Sequence, residues 1–418
     1  MAQGTPVDFA SVRENNLSLV TNLIREAGSI SRADLVRNTN LSATTVSSLA
    51  TQLLSSGYIF ESTKGASSGG RPPVMLEFDF KFRHVIGVDM GSTHLSLVAM
   101  DLKSEVAASR HSAFDVINDP QGTTQKIIEL LRSILDELQL PIHRILGIGI
   151  GVPSPIEGEK LDRLSPIILP KWSGFDLIGQ LQSVFPLPIY MDNDANAGAL
   201  AIKWWGIGRD CANLAYIKIG TGVGCGLVIN HKIYRGTGGA AGEIGHTIVD
   251  IDGPLCRCGN RGCLESLVSI PKILARVSSQ TVHPGSVSTD TSNQINGIAA
   301  ESYSQLALES LMARSLAGDP IYIDAIESMG IYLGIAIANL LNLFNPELVV
   351  LGGDIFTVGQ RLVEPLQRTI KRYAVAKVAH EARISLMPLD SDTVAVGAAT
   401  LAIQAAFEPE NLLCTLQV

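Results

Sequence analysis

Two segments with the same pattern, a strand, a short glycine-containing turn and a second strand, constrain the fold of this chain most strongly. The first is HVIGVDMGSTHLSLVAMDL, which begins at His84, and the second is NLAYIKIGTGVGCGLVIN, which begins at Asn213. Apolar runs of this length bounded by glycine predict buried strands. Their repetition predicts an α/β fold with two lobes of similar construction and a cleft between them.

The turns of both segments have a composition that suits phosphate binding. A hairpin of small residues can direct backbone N–H groups at a phosphate, and a neighbouring carboxylate can orient a metal ion or water. The candidate residues are Asp89, Gly91 and Thr93 in the first turn, and Gly220, Thr221 and Gly222 in the second. Glycine hairpins are also common as purely structural turns, so neither segment alone establishes a nucleotide site.

The first 83 residues differ from the rest of the chain in charge. They contain eight Lys/Arg and seven Asp/Glu, a net charge of +1, whereas the whole chain carries −8 and the remainder therefore −9. Periodic apolar residues predict three short helices here, with Ser31 and Ser42 capping the second and the third. Helix, helix, turn and helix in this order is the helix-turn-helix arrangement.

The outer face of the predicted third helix carries only small hydroxyl residues, namely Thr44, Thr45, Ser47 and Ser48. Such residues can lie close to phosphates and base edges, and no carboxylate repels the DNA backbone. We therefore predict that this face binds DNA. The alternative is the solvated face of an ordinary three-helix domain.

A wing is predicted after the third helix. The segment GYIFESTKGASSGGRPPVMLEF indicates a strand, a Gly/Ser tip and a returning strand. Arg71 is held extended by the prolines that follow it, which suits insertion into a narrow minor groove. The same composition is also typical of an interdomain linker.

Asn193 and Asp194 lie where an apolar strand gives way to a helix of small residues, in IYMDNDANAGALA. A carboxylate at this point can act as general base on a sugar hydroxyl, and Asn193 can bind a neighbouring hydroxyl. Asp and Asn also suit a helix N-cap. The local sequence leaves both interpretations open.

His246, Cys256, Cys258 and Cys263 lie within 18 residues of one another. Three thiolates and one imidazole form a closed tetrahedral zinc site, and such a site is usually structural because no position remains open for water. Free surface cysteines and a Cys256–Cys258 disulfide are the alternatives. We predict zinc.

Composition indicates a globular protein without a membrane partner. Hydrophobic residues make up 46% and charged residues 17% of the chain, which is ordinary for globular proteins. The first residues contain no apolar signal-peptide region, and the longest apolar candidate, GIAIANLLNLFNPELVVLGG, is broken by Asn and Pro. We expect a cytoplasmic location, where clustered cysteines more often bind metal than form disulfides.

Together these motifs resemble the ROK family, named for its repressors, open reading frames and kinases. The most specific elements are EIGH at Glu243 and CxCGxxGCLE at Cys256, and DNDANAGALA and IGTGVGCGLVIN agree with them. The resemblance covers nearly the whole chain and favours the regulator branch. It implies the two-lobed, ribonuclease H-like fold of the sugar kinase, Hsp70 and actin superfamily, preceded by an N-terminal all-α winged helix-turn-helix domain.

The resemblance also implies roles for individual residues. The residues that would contact sugar hydroxyls are Asn193, Asp194, Glu243, His246 and Glu265, and Asp194 would be the catalytic base in a kinase member. The implied domains are 1–80 for the DNA-binding head, 81–195 for the first lobe, 196–398 for the second lobe with zinc, and 399–418 for a C-terminal helix and tail that pack on the first lobe or the head. A homodimer or homotetramer is implied as well.

One turn departs from the kinase pattern of the family. Family kinases usually have Asp-x-Gly-Gly-Thr-Lys where this chain has DMGSTH, ending at His94. The serine adds bulk where a phosphate would approach, and the histidine replaces a permanent cation. We therefore expect a sugar-responsive repressor that binds operator DNA and a sugar or sugar phosphate. The alternatives are an ATP- and Mg²⁺-dependent sugar kinase, and a DNA-bound scaffold with a vestigial cleft.

Overall fold

The computed structural model describes residues 9–62, 73–157, 163–165, 169–281, 300–353, 359–387 and 392–417. Arg71 and the tip of the predicted wing lie outside the described residues.

The head, residues 9–78, consists of three helices and a small antiparallel sheet. Both predicted caps are confirmed, because the Ser31 and Ser42 side chains accept hydrogen bonds from the backbone N–H groups of Asp34 and Thr45. The sheet has the order β1-β3-β2. Strands β2 and β3 are the two predicted strands of the wing. Strand β1 was not predicted, and it adds a third strand to a domain that we expected to be all-α apart from the wing. The elements are α1 (Phe9–Ala27), β1 (Ser29–Ser31), α2 (Arg32–Thr39), α3 (Ala43–Ser55), β2 (Ile59–Ser62) and β3 (Met75–Phe78).

The first lobe is built on a five-stranded sheet of order β10-β7-β4-β5-β6. Its central strands β4 and β5 are buried almost throughout because helices cover both faces of the sheet. The elements are β4 (His84–Met90), β5 (His94–Asp101), β6 (Val106–Ala113), α4 (Pro120–Leu138), β7 (Ile145–Val152), β8 (Ile156–Glu157), β9 (Arg163–Leu164), α5 (Leu177–Val184), β10 (Ile189–Asn193) and α6 (Asp194–Trp204).

The second lobe has a five-stranded sheet of order β13-β12-β11-β14-β15, with helices α7 to α11 packed around one hydrophobic core. A 3₁₀ turn, Ile244–His246, precedes the cysteine loop. The elements are β11 (Leu214–Ile219), β12 (Val223–Ile229), β13 (Lys232–Ile233), α7 (Leu264–Val268), α8 (Ile270–Thr281), α9 (Ala300–Leu316), α10 (Pro320–Phe344), β14 (Leu348–Gly352), α11 (Gln360–Tyr373), α12 (Ala376–Glu381) and β15 (Arg383–Leu386).

The two sheets have the same construction. In each, a three-stranded antiparallel meander is extended by two parallel strands: β4 pairs with β5 antiparallel and with β7 parallel, and β11 pairs with β12 antiparallel and with β14 parallel. The prediction of two similar lobes from the repeated strand–turn–strand segments is confirmed.

Helices α6 and α13 (Thr393–Ala406) cross between the lobes in backbone contact. A Cβ on Gly397 would lie 1.8 Å from the carbonyl oxygen of Ala197, and one on Gly226 in β12 would lie 2.2 Å from that of Ala195. Glycine at these two positions therefore allows a close approach that no side chain permits. Helix α6 is buried along most of its length and contacts the sheets of both lobes.

The head shares a continuous hydrophobic core with the first lobe and the C-terminal helices. Phe407 lies edge-on to Tyr58 and Phe78 of the head, with ring centroids 6.1 and 5.8 Å away, and its carbonyl accepts a buried hydrogen bond of 2.8 Å from Ser18. Helix α13 packs on the first-lobe strands β4 and β7, and α14 (Pro409–Gln417) packs on α1. The exact domain boundaries stay predictions.

Within the described ranges, α10 is the one helix that is long and apolar enough to cross a membrane, with a mean hydropathy of 1.5 in its most apolar window. It packs against α7, α8 and α11 inside the second lobe, and 50% of that window is buried. Its apolar composition is therefore explained by the core of this lobe.

Candidate functional site

Strand β10 delivers Asn193 and Asp194 to the cleft between the lobes. Asn193 is the N-cap of α6: its Oδ1 accepts a hydrogen bond of 2.9 Å from the Ala195 N–H, and its Nδ2 donates to the carbonyl of Ser154 at 3.3 Å. The capping interpretation therefore applies to Asn193. Asp194 occupies the first helical turn, where the helix dipole favours a carboxylate.

Asp194 is paired with a residue that the sequence did not point to. Lys218 on β11 donates from Nζ to Asp194 Oδ2 at 2.8 Å. One signal was available, because Lys218 is the only charged residue in the otherwise apolar strand LAYIKI. A charged side chain in the middle of a buried strand requires a partner.

A second unpredicted ion pair joins the lobes beside Asn193. Arg235 donates to Asp192 Oδ2 from Nε at 2.9 Å and from Nη2 at 2.6 Å. The other oxygen, Oδ1, accepts from Asn196 Nδ2 at 2.8 Å. Asp192 is only 4% exposed, so the pair fixes the end of β10 against the loop that follows β13.

Glu265 connects the second glycine turn with the cysteine loop. Its Oε1 accepts from Arg257 Nε at 2.8 Å, and its Oε2 accepts from Arg257 Nη2 and from the Val223 N–H, both at 3.1 Å. A Cβ on Gly222 would lie 2.8 Å from Oε2. Gly222 therefore serves to admit this carboxylate, and Glu265 positions the turn.

Glu243 directly precedes the short 3₁₀ turn and His246 ends it, with Glu243 Oε2 3.8 Å from His246 Nε2. Burial is the main cause that raises the pKa of Glu243; His246 opposes it, and the charges of Glu265 and Asp194 add to it. Asp194 and Glu265 both raise the pKa of Glu243, in agreement with the prediction from separate motifs that the three carboxyl groups belong to one site.

His246 and the three cysteines form a cluster that can hold a metal ion. Their four ligand atoms lie within 4.8 Å of one another; Cys256 Sγ is 3.6 Å from His246 Nδ1, and Cys258 Sγ is 3.6 Å from Cys263 Sγ. Ligand atoms of tetrahedral zinc are about 3.4–3.8 Å apart, so the donor set fits the metal. All six cysteines of the chain are free, which excludes the alternative Cys256–Cys258 disulfide in this structure.

In the first glycine turn, the side chain of His94 lies over Gly91 and next to Asp89. His94 Nε2 lies 3.3 Å from Asp89 Oδ2, and a Cβ on Gly91 would lie 2.2 Å from His94 Cε1. Thr93 is half-buried, and its carbonyl accepts from the Phe114 N–H. In the second turn the Gly220 N–H donates to the carbonyl of Gly222 at 3.0 Å, and Thr221 is exposed.

The candidate DNA-binding residues lie together on α3. Thr44, Ser47 and Ser48 are exposed, whereas Val46 and Leu49 face the core of the head. Thr45 is half-buried, and its hydroxyl lies 2.8 Å from that of the N-cap Ser42. Three of the four residues thus face solvent as expected, and the binding of DNA by this face stays a prediction.

A family model described as the ROK family matches residues 85–405. The chain belongs to the ROK family. The putative xylose repressor of Caldicellulosiruptor sp. is 34% identical over 403 residues, which cover 95% of this chain and 97% of that protein. The glucokinase of Halalkalibacterium halodurans is 31% identical over 327 residues, which cover 77% of this chain and 96% of that enzyme.

Among solved structures, a ROK family transcriptional regulator described as a homologue of the E. coli Mlc protein superimposes with a TM-score of 0.78 at 26% identity, covering 98% of this chain and 100% of that one. The ROK family thus includes repressors and sugar kinases. The repressor and the regulator match nearly the whole of this ROK chain, whereas the family model starts after the head.

Proposed function

We propose that this ROK protein is a sugar-responsive transcriptional repressor. Its head binds operator DNA, its cleft binds a sugar, and the bound sugar lowers the affinity for DNA. One observation carries the proposal: helix α6 begins at Asp194 in the cleft and ends at Trp204, whose ring lies 5.0 Å from the guanidinium of Arg25 in the head.

The head supplies the DNA interface. The hydroxyl face of α3 enters the major groove, and the wing between β2 and β3 brings Arg71 to the minor groove. The organisation of three helices with a β2–β3 hairpin supports a winged helix-turn-helix, as does the match of repressor relatives along the head. In a homodimer, two heads would contact two half-sites.

The cleft supplies the sensor. Asp194, Glu243 and the remaining N–H of the Asn193 amide offer acceptors and a donor for sugar hydroxyls, with His246 Nε2 beside Glu243. Such convergent polar groups are typical of small-ligand sites. D-xylose is the first sugar to test, because the relative that matches 95% of the chain is a putative xylose repressor.

A structural zinc ion supports this site. Bound through His246 Nδ1 and the three cysteines, it fixes the 3₁₀ turn that carries Glu243 and the start of α7 that carries Glu265. It thereby holds two acidic groups of the cleft in place without touching the DNA interface. The imidazole keeps Nε2 for the ligand, since Nδ1 faces Cys256.

Helix α6 transmits the response. Its 11 residues span about 16 Å, and its backbone contacts with Gly226 and Gly397 resist bending. At its far end Arg25 lies over both Trp204 and Phe407. A ligand can shift the equilibrium only through its different affinity for the two arrangements of the lobes, and a shift of α6 on closure would displace α1 of the head.

Replacing Arg71 by alanine tests the wing. We expect the affinity for DNA from the region upstream of the protein's own gene to fall by at least about tenfold. The substitution removes the arginine that would enter the minor groove and, with it, one positive charge that would neutralise a phosphate. Fluorescence anisotropy measures this, and calorimetry should show unchanged sugar binding. Arg368→Ala is the matched control, because Arg368 pairs with Glu327 on the second lobe. Unchanged DNA affinity of the Arg71 variant would refute the wing assignment.

A further inference from the structure

Lys218 stands on the central strand of the second lobe and reaches across the cleft to the first. It lies between the fully buried Ile217 and Ile219 on β11. The side chains of Lys218 and Asp194 are only 19% and 13% exposed. An ammonium group so enclosed is tolerated only when it is paired, and its partner is the carboxylate that would be the general base of a sugar kinase.

Lys218 also interacts with a second carboxylate of the first lobe. Burial lowers the pKa of Lys218, but the charges of Asp194 and then of Asp89 outweigh burial, and the pKa is raised. Burial likewise raises the pKa of Asp89, yet Lys218 and His94 outweigh it, and the pKa is lowered. The Lys218 ammonium therefore favours the ionised form of Asp89 in addition to its direct contact with Asp194.

The first glycine turn is not available to a phosphate group, because a basic side chain already occupies it. His94 bonds Asp89 and lies directly over Gly91, so the small residue of the turn faces an imidazole ring. The positive charge of Lys218, on the opposite lobe, also lowers the pKa of Asp89. The carboxylate that would orient a metal ion for a nucleotide is thus already in contact with an imidazole.

We propose that Lys218 makes this cleft a sugar-binding site that works without nucleotide or divalent metal. Phosphoryl transfer needs Mg²⁺ ions, held partly by carboxylates, to carry the donor phosphates. Here the Lys218 ammonium already pairs with Asp194, and His94 lies 3.3 Å from Asp89, so a metal ion would have to displace both contacts. Lys218 also holds Asp194 Oδ2 and leaves Oδ1 to accept a sugar hydroxyl.

This inference rests on the proposed function and narrows its ligand to a neutral sugar. Three basic side chains at the cleft are each paired with a carboxylate: Lys218 with Asp194, Arg235 with Asp192, and Arg257 with Glu265. Asp89 and Glu243 add two further carboxyl groups. A sugar phosphate would therefore meet an excess of carboxylates, with these three cations already engaged.

Thermal unfolding of the full-length protein in a Mg²⁺ titration tests the role of Lys218. We expect the Tm of the wild type to be unaffected by Mg²⁺. In Lys218→Met, Asp194 loses its paired cation, and saturating Mg²⁺ should raise the Tm by at least about 3 °C. Lys203→Met is the matched control without a Mg²⁺ response, because the buried Lys203 donates only to the carbonyls of Arg209 and Cys211. Absence of a Mg²⁺ effect in a folded Lys218→Met would overturn the proposal.

Two measurements on the wild type decide the question even if Lys218→Met does not fold. A coupled assay with ATP, Mg²⁺ and a panel of sugars should show no turnover, and calorimetry should show that D-xylose or another neutral sugar binds equally well with and without Mg²⁺-ATP. Turnover, or sugar binding that requires Mg²⁺-ATP, would overturn the role of Lys218. DNA release by sugar is measured separately, so a kinase that still releases DNA would leave the repressor function standing.

Discussion

Cys258→Ala is expected to remove the bound metal and, with it, the response to sugar. Cys258 is exposed and its Sγ lies 3.6 Å from Cys263 Sγ, so the substitution removes a metal ligand without opening a cavity in the core. Structural zinc contributes on the order of 10 kcal/mol to the folding of small zinc domains. Without it, the 3₁₀ turn and the start of α7 lose their common attachment, and Glu243 and Glu265 are no longer held together.

Metal analysis and calorimetry of the same preparation measure this effect. We expect the wild type to contain one zinc per chain and Cys258→Ala to contain far less, with sugar affinity reduced by at least about tenfold. DNA binding in the absence of sugar should persist, because the cluster lies in the second lobe. Cys414→Ala is the matched control, since Cys414 is also exposed but lies on α14 outside the cluster. A zinc-free variant with unimpaired sugar response would refute the supporting role of the metal.

Trp204→Ala is expected to uncouple the head from the cleft. The substitution removes the ring that lies 5.0 Å from Arg25, whereas Asn193 and Asp194 at the other end of α6 stay in place. Sugar affinity and DNA affinity, each measured alone, should stay within about threefold of the wild type. The loss of DNA affinity caused by sugar should shrink by about tenfold, which corresponds to about 1.4 kcal/mol of coupling free energy.

A control for Trp204→Ala should change a neighbouring side chain at the end of the same helix and leave the contact between Arg25 and Trp204 intact. Trp205→Phe removes the 2.8 Å hydrogen bond from Trp205 Nε1 to Thr400 within the body and leaves Arg25 and Trp204 together, so it should retain the response. Arg25→Ala should reproduce the effect of Trp204→Ala, and the double variant should lose no more than either single variant. Full sugar response in Trp204→Ala would show that the signal takes another route.

The sequence predicted those features whose partners lie close together along the chain. The four residues of the metal-binding cluster span 18 residues, the caps at Ser31 and Ser42 are local, and the repeated strand–turn–strand segments each contain their own hairpin. Glu243, Glu265 and Asn193 came from motifs of the resemblance, and the structure brings them to one cleft. Their contacts with sugar stay a prediction.

The features that were missed depend on pairs distant in sequence. Lys218 is 24 residues from Asp194 and Arg235 is 43 residues from Asp192; the pairing of such groups follows from the packing of α6 between two sheets, which no local pattern encodes. Strand β1 was missed because three residues carry too little periodicity. The structure shows that Asn193 caps α6, which was one of the two open interpretations; sugar binding by Asn193 and Asp194 stays a prediction.

The Lys218 pair bears on how one fold serves both enzymes and repressors. A glucokinase of the same family is 31% identical to this protein over 327 residues. The architecture alone therefore does not determine the activity. Here the ammonium of Lys218 binds the carboxylate that a kinase would use as general base. Whether a member of the family is a kinase would then depend on the residue at this position of β11, which lies outside the EIGH and CxCGxxGCLE motifs.

Titration of neutral sugars against a complex of the full-length protein with DNA from its own upstream region tests the central claim most directly. Fluorescence anisotropy of the labelled DNA should show tight binding without sugar. Addition of D-xylose, or of another neutral sugar that calorimetry shows to bind, should lower the DNA affinity by at least about tenfold. A DNA affinity that stays unchanged while a sugar saturates the cleft would contradict the proposed function.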